Sequence, residues 1–161
     1  MEFNEVEGEW TFGKYPSTGR SAWIDQSVFG PPIGGTPSQL IYQHEIGYNG
    51  DGAAINPTFT TGYFVIAEGE DFCFLDQFIP DFKYGLQGGP QTANLLVTLF
   101  AVDYPTDTPR SYGPYTVNNA QRYFMPRLRG RQVAMQAQSL DAGSFWRIGN
   151  NRYRFAPDGR R

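Results

Sequence analysis

The stretch from Asp71 to Phe82, DFCFLDQFIPDF, decides the fold class of this 161-residue chain. Its apolar side chains recur with a period of two, one set at Phe72, Phe74, Phe78 and Phe82, the other at Cys73, Leu75 and Ile79. A period of two is typical of a β-strand, because successive side chains point to opposite faces. Apolar residues of both parities predict a strand that is covered on both sides.

Strand signals and turn signals alternate along the rest of the chain. We predict strands at 21–25, 40–46, 58–67, 71–82, 94–102, 115–118, 127–140, 144–148 and 152–155. The last two form a hairpin about Gly149-Asn150-Asn151, and Asn49-Gly50-Asp51-Gly52 is a strong turn signal. With 19 Gly, 12 Pro and 16% aromatic residues, long helices are excluded. The sequence predicts an all-β fold, an antiparallel, jelly-roll-like β-sandwich of about eight strands.

The chain has the length of one domain with an arm. Residues 1–39 are interrupted by Gly and Pro and predict an irregular N-terminal arm or peripheral hairpin, while residues 40–161 form the β-sandwich domain. A single cysteine, Cys73, excludes an intrachain disulfide framework and a Cys-rich zinc site. No apolar run approaches the roughly 18 residues that a membrane helix requires, so we expect no membrane segment.

The formal net charge of −3 conceals two unlike halves. Residues 122–161 contain nine arginines and two aspartates, a net charge of +7, whereas residues 1–121 contain 14 acidic and four basic residues, a net charge of −10. Two interpretations remain open. Either the arginines pair with acids inside the fold, or acidic surface docks on basic surface between copies of the chain.

Arginines at alternate positions are the most specific charged feature. On a strand, Arg127, Arg129 and Arg131 would line one face and could not all belong to the core. Arginine used almost without lysine favours planar, bidentate contacts with carboxylates or phosphates. The candidates are internal ion pairs or a subunit interface, a nucleic-acid surface, and an ordinary solvated face. The acidic chain and the lack of a helical reading motif argue against DNA.

Signals for catalysis or metal binding are weak. His44 is the only histidine, and the residues after it do not complete an HExxH motif, so we expect a hydrogen-bonded structural histidine. The segment Asn49–Gly52 lacks the ligand ladder and terminal Glu of an EF-hand, and a hairpin turn explains it without calcium. Carboxylates that could pair for glycoside hydrolysis are Asp25, Glu45, Asp71, Asp76 and Asp81, with no pair favoured. We expect no enzyme activity, no metal and no cofactor.

Several short phrases, in a fixed order, carry a resemblance to a known family. They are Trp10-Thr11-Phe12-Gly13, Arg20-Ser21-Ala22-Trp23-Ile24-Asp25, Val28-Phe29-Gly30-Pro31-Pro32-Ile33-Gly34, Tyr42-Gln43-His44-Glu45-Ile46-Gly47, Asp51-Gly52, Ile79-Pro80-Asp81-Phe82, Arg127-Leu128-Arg129-Gly130-Arg131-Gln132-Val133-Ala134, Phe145-Trp146-Arg147-Ile148-Gly149 and Pro157-Asp158-Gly159-Arg160-Arg161. Together they resemble the C-terminal region of tail hub or nozzle proteins of short-tailed bacteriophages and prophages. Members of that family carry a long β-rich region before the first phrase, which the present sequence does not contain.

The resemblance implies a non-enzymatic structural protein of the virion tail, made in the cytoplasm of an infected bacterium. Its partners would be copies of itself in a ring and other phage tail proteins, with transient contact to packaged DNA. We expect the subunit interface at Arg127, Arg129, Arg131, Arg147, Arg152 and Arg154, with Trp10 and Trp23 in the arm. The alternative is a carbohydrate- or receptor-binding module of a phage tail, in which Trp and Tyr rings stack on sugars.

Overall fold

The computed structural model describes residues 2–4, 8–11, 19–65, 71–86, 94–118 and 120–159, with the side chains of 2–4 and 9–11 left aside. No helix occurs among these residues, and every pairing between strands is antiparallel. The predicted all-β, sandwich-like class is therefore confirmed. The described strands are more numerous than the predicted eight, since seventeen are present. They fall into two compact units, Met1–Ile55 and Asn56–Arg161.

The first unit contains seven short strands. They are β1 (Glu2–Asn4), β2 (Glu9–Thr11), β3 (Ala22–Ile24), β4 (Ile33–Gly35), β5 (Ile41–Gln43), β6 (Asn49–Gly50) and β7 (Ala53–Ala54). β1 pairs with β2, β4 lies between β3 and β5, and β6 pairs with β7. The predicted turn is present: Asp51 and Gly52, with φ of 52° and 82°, join β6 to β7. Two positive φ values suit the right-handed twist of a tight hairpin.

The unit boundary differs from the predicted division at residues 39 and 40. β4 and β5 pair across that position, with Gly35 opposite Ile41, so one sheet joins the two predicted regions. The division into compact units comes at Ile55 and Asn56. Whether the first unit acts as an arm on a neighbouring molecule stays a prediction.

The second unit holds the longer strands and the hydrophobic core. Its strands are β8 (Thr58–Thr60), β9 (Phe64–Val65), β10 (Cys73–Ile79), β11 (Phe82–Leu86), β12 (Leu95–Val102), β13 (Arg110–Val117), β14 (Leu128–Gly130), β15 (Gln132–Ser139), β16 (Ser144–Ile148) and β17 (Arg152–Pro157). One sheet has the order β13-β12-β15, with β8 and β9 both on the free side of β15. A second sheet has the order β14-β10-β17, and β11 pairs with β16. One cluster of buried side chains joins these sheets, including Leu75, Phe78, Leu99, Leu128 and Val133.

A β-bulge explains the double parity of the stretch from Asp71 to Phe82. Within β10 the pairing with β17 shifts register between Leu75 and Gln77, so the buried positions change from Cys73 and Leu75 to Phe78, while Phe72, just before the strand, is buried as well. Phe74 and Ile79 remain partly exposed. The prediction of a strand covered on both sides was therefore wrong, because a bulge moves the core-facing side from one parity to the other.

The predicted hairpin of residues 144–148 and 152–155 was also wrong. Both strands form, but β16 pairs with β11 and β17 pairs with β10. The cause lies at Asp81, whose carbonyl accepts from the backbone N–H of Gly149 over 2.7 Å and whose carboxylate accepts from that of Asn150 over 3.0 Å. Asn151 in turn accepts the N–H of Asp81 over 2.8 Å. The turn at Asp81 and the turn at residues 149–151 are therefore hydrogen-bonded to each other, and β16 and β17 pair with different strands.

The predicted strand over 127–140 is interrupted at Arg131, where the chain bends between β14 and β15. Arg127, with φ of 50°, precedes β14. Only Arg129 therefore lies on a strand, and the premise that three alternating arginines line one strand face was wrong. β13 is longer than predicted and includes Pro114, which is tolerated because β13 is an edge strand and its pairing with β12 shifts register there.

Candidate functional site

Two of the predicted arginines meet at one aromatic ring in the second unit. Arg129 and Arg131 place their guanidinium carbons 4.0 Å and 4.7 Å from the ring centroid of Phe72, which is buried. Arg131 also lies over the ring of Tyr104, at 4.9 Å. The bend at Arg131 creates this arrangement, since its backbone N–H donates to the carbonyl of Val102 over 3.1 Å and brings it to the end of β12. We call Phe72, Tyr104, Arg110, Arg129 and Arg131, with their carboxylate partners, the arginine corner.

Two arginines of the arginine corner each have a carboxylate. Arg110 makes a two-pronged contact with Asp103, at 2.6 Å and 3.0 Å, and donates to the backbone carbonyl of Arg129 over 2.9 Å. Arg129 pairs through Nε with Asp158. The hydrogen bond from Arg110 holds the pKa of Asp103 below its usual range, with a further contribution from Arg129 and Arg131. These contacts satisfy much of the local charge inside the chain.

Arg131 differs from its two neighbours. Its Nε is buried without a hydrogen-bond partner, and its side chain forms no ion pair with any described residue. Two rings hold the guanidinium plane while the residue as a whole is partly exposed. An arginine fixed in this way is oriented before it meets an anion.

The remaining predicted arginines lie apart from the arginine corner in the strand pairing. Arg127, Arg147, Arg152 and Arg154 are all exposed. Arg147 lies opposite Lys83 in the pairing of β16 with β11, and Arg152 lies opposite Ile79. Arg154 pairs with Asp76 at 2.7 Å, and this hydrogen bond lowers the pKa of that carboxyl. Arg129 and Arg154 thus make ion pairs within the chain, as the first interpretation of the charge pattern predicts.

Most of the large apolar side chains that the structure describes in the first unit are exposed. Only Gly34 and Thr36 are buried among its described residues, and every buried hydrophobic side chain that the structure describes belongs to the second unit. The exposed large hydrophobic residues of the first unit are Trp23, Ile24, Val28, Phe29, Leu40, Ile41, Ile46, Tyr48 and Ile55. Exposed apolar side chains in this number are typical of a surface that contacts another molecule.

Val28 and Phe29 occupy the tip of the loop between β3 and β4. They are the central residues of a turn in which the N–H of Gly30 donates to the carbonyl of Ser27 over 3.0 Å. The hydroxyl of Ser27 accepts from the N–H of Phe29 over 3.1 Å and donates to the carbonyl of Pro31 over 2.7 Å. Turn centres are usually polar or Gly, so an ordered turn that presents two exposed apolar side chains suits a contact with another molecule.

The two predicted tryptophans are placed differently. Trp23 is in β3, 46% exposed, with its Nε1 donating to Asp25 over 2.8 Å and its ring 4.4 Å from that of His44. Trp10 is in β2 opposite Phe3, and its side chain lies outside the described residues.

A polar centre in the first unit was missed by sequence reasoning. Arg20 pairs with Asp51 at 2.5 Å, and only 7% and 9% of the two side chains are exposed. The Nε of Arg20 donates to Nε2 of His44 over 3.0 Å, and its guanidinium lies 4.1 Å from the ring centroid of Tyr42. Burial, followed by the positive charge of Arg20, lowers the pKa of His44. The expectation of a hydrogen-bonded structural histidine is confirmed, but its partners lie too far apart in sequence to be recognised.

The predicted candidate carboxylates are not assembled into a catalytic pair by any described contact. Asp25 accepts from Trp23, Asp76 from Arg154, and Asp81 from the backbone of Asn150. No group of three or more His, Cys, Asp or Glu side chains in the described part of the chain is placed to hold a metal ion. Within that part, no helix has the length and apolar character needed to cross a membrane.

Comparison with known proteins leaves the family open. No protein-family model matches this chain, and no curated protein matches it.

Proposed function

We propose that this protein is a non-enzymatic structural component of a bacteriophage tail, of the hub or nozzle type, which assembles into a ring that surrounds the DNA conduit. The assignment to a phage tail rests on the resemblance in sequence. The surface of the first unit supports assembly, and it is the observation on which the proposal depends. The virion tail is then its location, and further copies and other tail proteins are its partners.

The proposal of assembly depends on the exposed apolar residues of the first unit. A unit with no buried hydrophobic side chain among its described residues gains little from its own packing. Covering side chains such as Phe29 and Ile41 on a neighbouring molecule would contribute roughly 25 cal/mol for each Å² of apolar surface removed from water. Assembly therefore provides the burial that the strands of this unit do not provide for themselves.

The charge of the two units fits contacts between unlike surfaces. Residues 1–55 contain seven acidic and two basic residues, a net charge of −5, whereas residues 56–161 contain nine acidic and eleven basic residues, a net charge of +2. Contact of one copy's acidic unit with the next copy's basic unit is heterologous, and a heterologous contact that closes forms a ring. We expect charge to guide this contact and apolar burial to stabilise it.

The test replaces the apolar turn while keeping its backbone. In full-length protein, Val28→Thr with Phe29→Ser should reduce the oligomeric mass measured by light scattering, because two exposed apolar side chains leave the interface. Leu140→Ser is the matched control, since Leu140 is an exposed apolar residue of the second unit. Equal loss of mass in both variants, or loss in neither, would count against an interface at this turn.

Carbohydrate or receptor binding is the second candidate function, and Trp23 favours it. Its indole is exposed and yet fixed by Asp25 and His44, which suits stacking on a sugar ring. A glycan array separates the two functions: saturable binding that Trp23→Ala abolishes while the oligomeric mass is unchanged would favour recognition over assembly.

A further inference from the structure

Arg131 has a fixed orientation but makes no ion pair with any described residue. Its guanidinium lies 4.7 Å from the ring centroid of Phe72 and 4.9 Å from that of Tyr104, and these contacts fix its plane. The other two arginines of the arginine corner have their own aspartates, Asp103 and Asp158. Arg131 pairs with no carboxylate among the described residues, and its buried Nε has no hydrogen-bond partner.

The chemistry of the arginine corner selects one carboxylate over a polyanion. Among the described ion pairs, two of its three arginines have an aspartate, Asp103 or Asp158, and only the guanidinium of Arg131 has none. Nucleic acid binds through several neutralised phosphates, and a single free cation contributes little to such binding. A guanidinium fork matches one carboxylate, and aromatic contacts on its plane reduce the rotamer freedom lost on binding.

The sequence itself contains a suitable source of carboxylate. Glu2, Glu5, Glu7 and Glu9 follow one another closely in the sequence of the acidic first unit, and no basic residue precedes Lys14. This is the densest group of acids in a unit of net charge −5, whereas Arg131 belongs to the unit of net charge +2. Charge complementarity therefore points to contact between the N-terminus of one copy and the arginine corner of another.

We propose that Arg131 is the docking site for a glutamate of the N-terminal segment, residues 2–9, of a second copy of this chain. The proposal rests on the assembly function above and specifies its polar contact. Arg131 binds one glutamate through its planar fork, while Arg110 and Arg129 keep their internal aspartates. Because the donor and acceptor surfaces differ, each copy offers one of each and the contact propagates head to tail.

The experiment uses sedimentation velocity on full-length protein at physiological ionic strength. Arg131→Gln should weaken self-association about tenfold or more, because the neighbour's glutamate loses its cationic partner. Arg131→Lys should restore it only in part, since lysine keeps the charge but loses the planar fork. Arg122→Gln is the matched control, because Arg122 is an exposed arginine between β13 and β14. A variant with Glu2, Glu5, Glu7 and Glu9 all changed to Gln should match Arg131→Gln.

A mixture of the two defective proteins gives the decisive result. Arg131→Gln retains the glutamates and the four-Gln variant retains Arg131, so together they should form one-to-one dimers at concentrations where each alone is mainly monomeric. This result also shows that both variants remain folded. Association unchanged in Arg131→Gln, or a mixture without dimers, would overturn the docking site.

Failure of the docking site and failure of the assembly function give different results. Wild-type protein that stays monomeric would contradict assembly itself. An Arg131→Gln variant that self-associates as strongly as the wild type would contradict only the docking site. Duplex DNA bound at low salt by the wild type and lost in Arg131→Gln would assign the site to phosphate and overturn the proposal.

Discussion

Arg20 and His44 are joined nitrogen to nitrogen, with Nε of the guanidinium donating to Nε2 of the imidazole over 3.0 Å. This contact requires a neutral histidine, because a protonated Nε2 cannot accept a hydrogen bond. Asp51 pairs with the other side of the same guanidinium at 2.5 Å. In a unit whose described residues include no buried hydrophobic side chain, these polar contacts hold together chain segments that are far apart in sequence.

Acid should therefore loosen the first unit. Burial and the charge of Arg20 lower the pKa of His44 below 6.5 in the folded chain, against opposing contributions from Asp51 and Glu45. Between that value and 6.5 the unfolded chain binds more protons than the folded chain, so stability falls as pH falls through this window. Because His44 is the only histidine, one imidazole resonance in a proton NMR titration reports its pKa.

The control for this titration is His44→Gln, whose side-chain oxygen can still accept from Arg20. We expect the protection factors of the β3–β5 amides, which correct for the slower intrinsic exchange in acid, to fall between pH 6.5 and 5 in the wild type and to change less in His44→Gln. A midpoint at or above 6.5 would contradict the neutral, accepting histidine.

Gly34 should be intolerant of a side chain, whereas the adjacent Gly35 should accept one. A Cβ on Gly34 would lie 2.9 Å from Nε2 of His44 and 3.1 Å from Cδ of Arg20, while a Cβ on Gly35 would lie 3.8 Å from Cβ of Ala22. Crowding of a packed site costs about 1–3 kcal/mol, so Gly34→Ala should destabilise the first unit by that order. Exchange rates of the β4 amides provide the measurement. Similar rates in the two variants would show that the polar centre is not closely packed.

The sequence predicted those parts of the fold that depend on local pattern. The turn at Asp51 and Gly52 and the buried strand β12 follow from turn chemistry and from alternation. Local patterns do not predict contacts between residues that are far apart in sequence. Asp81 holds the corner at Gly149 and separates two strands that looked like a hairpin, and a bulge after Leu75 changes the buried parity of β10.

The candidate site was predicted only in part, for the same reason. Arg129 and Arg131 were predicted as subunit-interface residues, and this stays a prediction; their meeting at Phe72 depends on a bend that alternation does not reveal. The pairing of Arg129 with Asp158 and of Arg154 with Asp76 likewise requires the sheet pairing to be known. The polar centre at Arg20 combines residues from separate turns and left no sequence signal.

Stability of the second unit should depend on the side chains between its sheets. Leu75 and Leu128 are 0% exposed, and truncation of such a leucine to Ala removes transfer energy and leaves a cavity. Leu75→Ala should lower the free energy of unfolding by about 2–5 kcal/mol in urea denaturation. Leu140→Ala is the control, since Leu140 is 50% exposed, and we expect a change within about 0.5 kcal/mol. Equal effects at both positions would be incompatible with the core described above.

Assembly through the first unit is tested most directly by the mass of the full-length protein in solution. Native mass spectrometry over a range of concentrations should show one closed oligomer of fixed stoichiometry, because a heterologous contact that closes allows a single ring size. Val28→Thr with Phe29→Ser should shift that population toward the single chain. A wild-type protein with the mass of one chain at every concentration would contradict assembly from this chain alone.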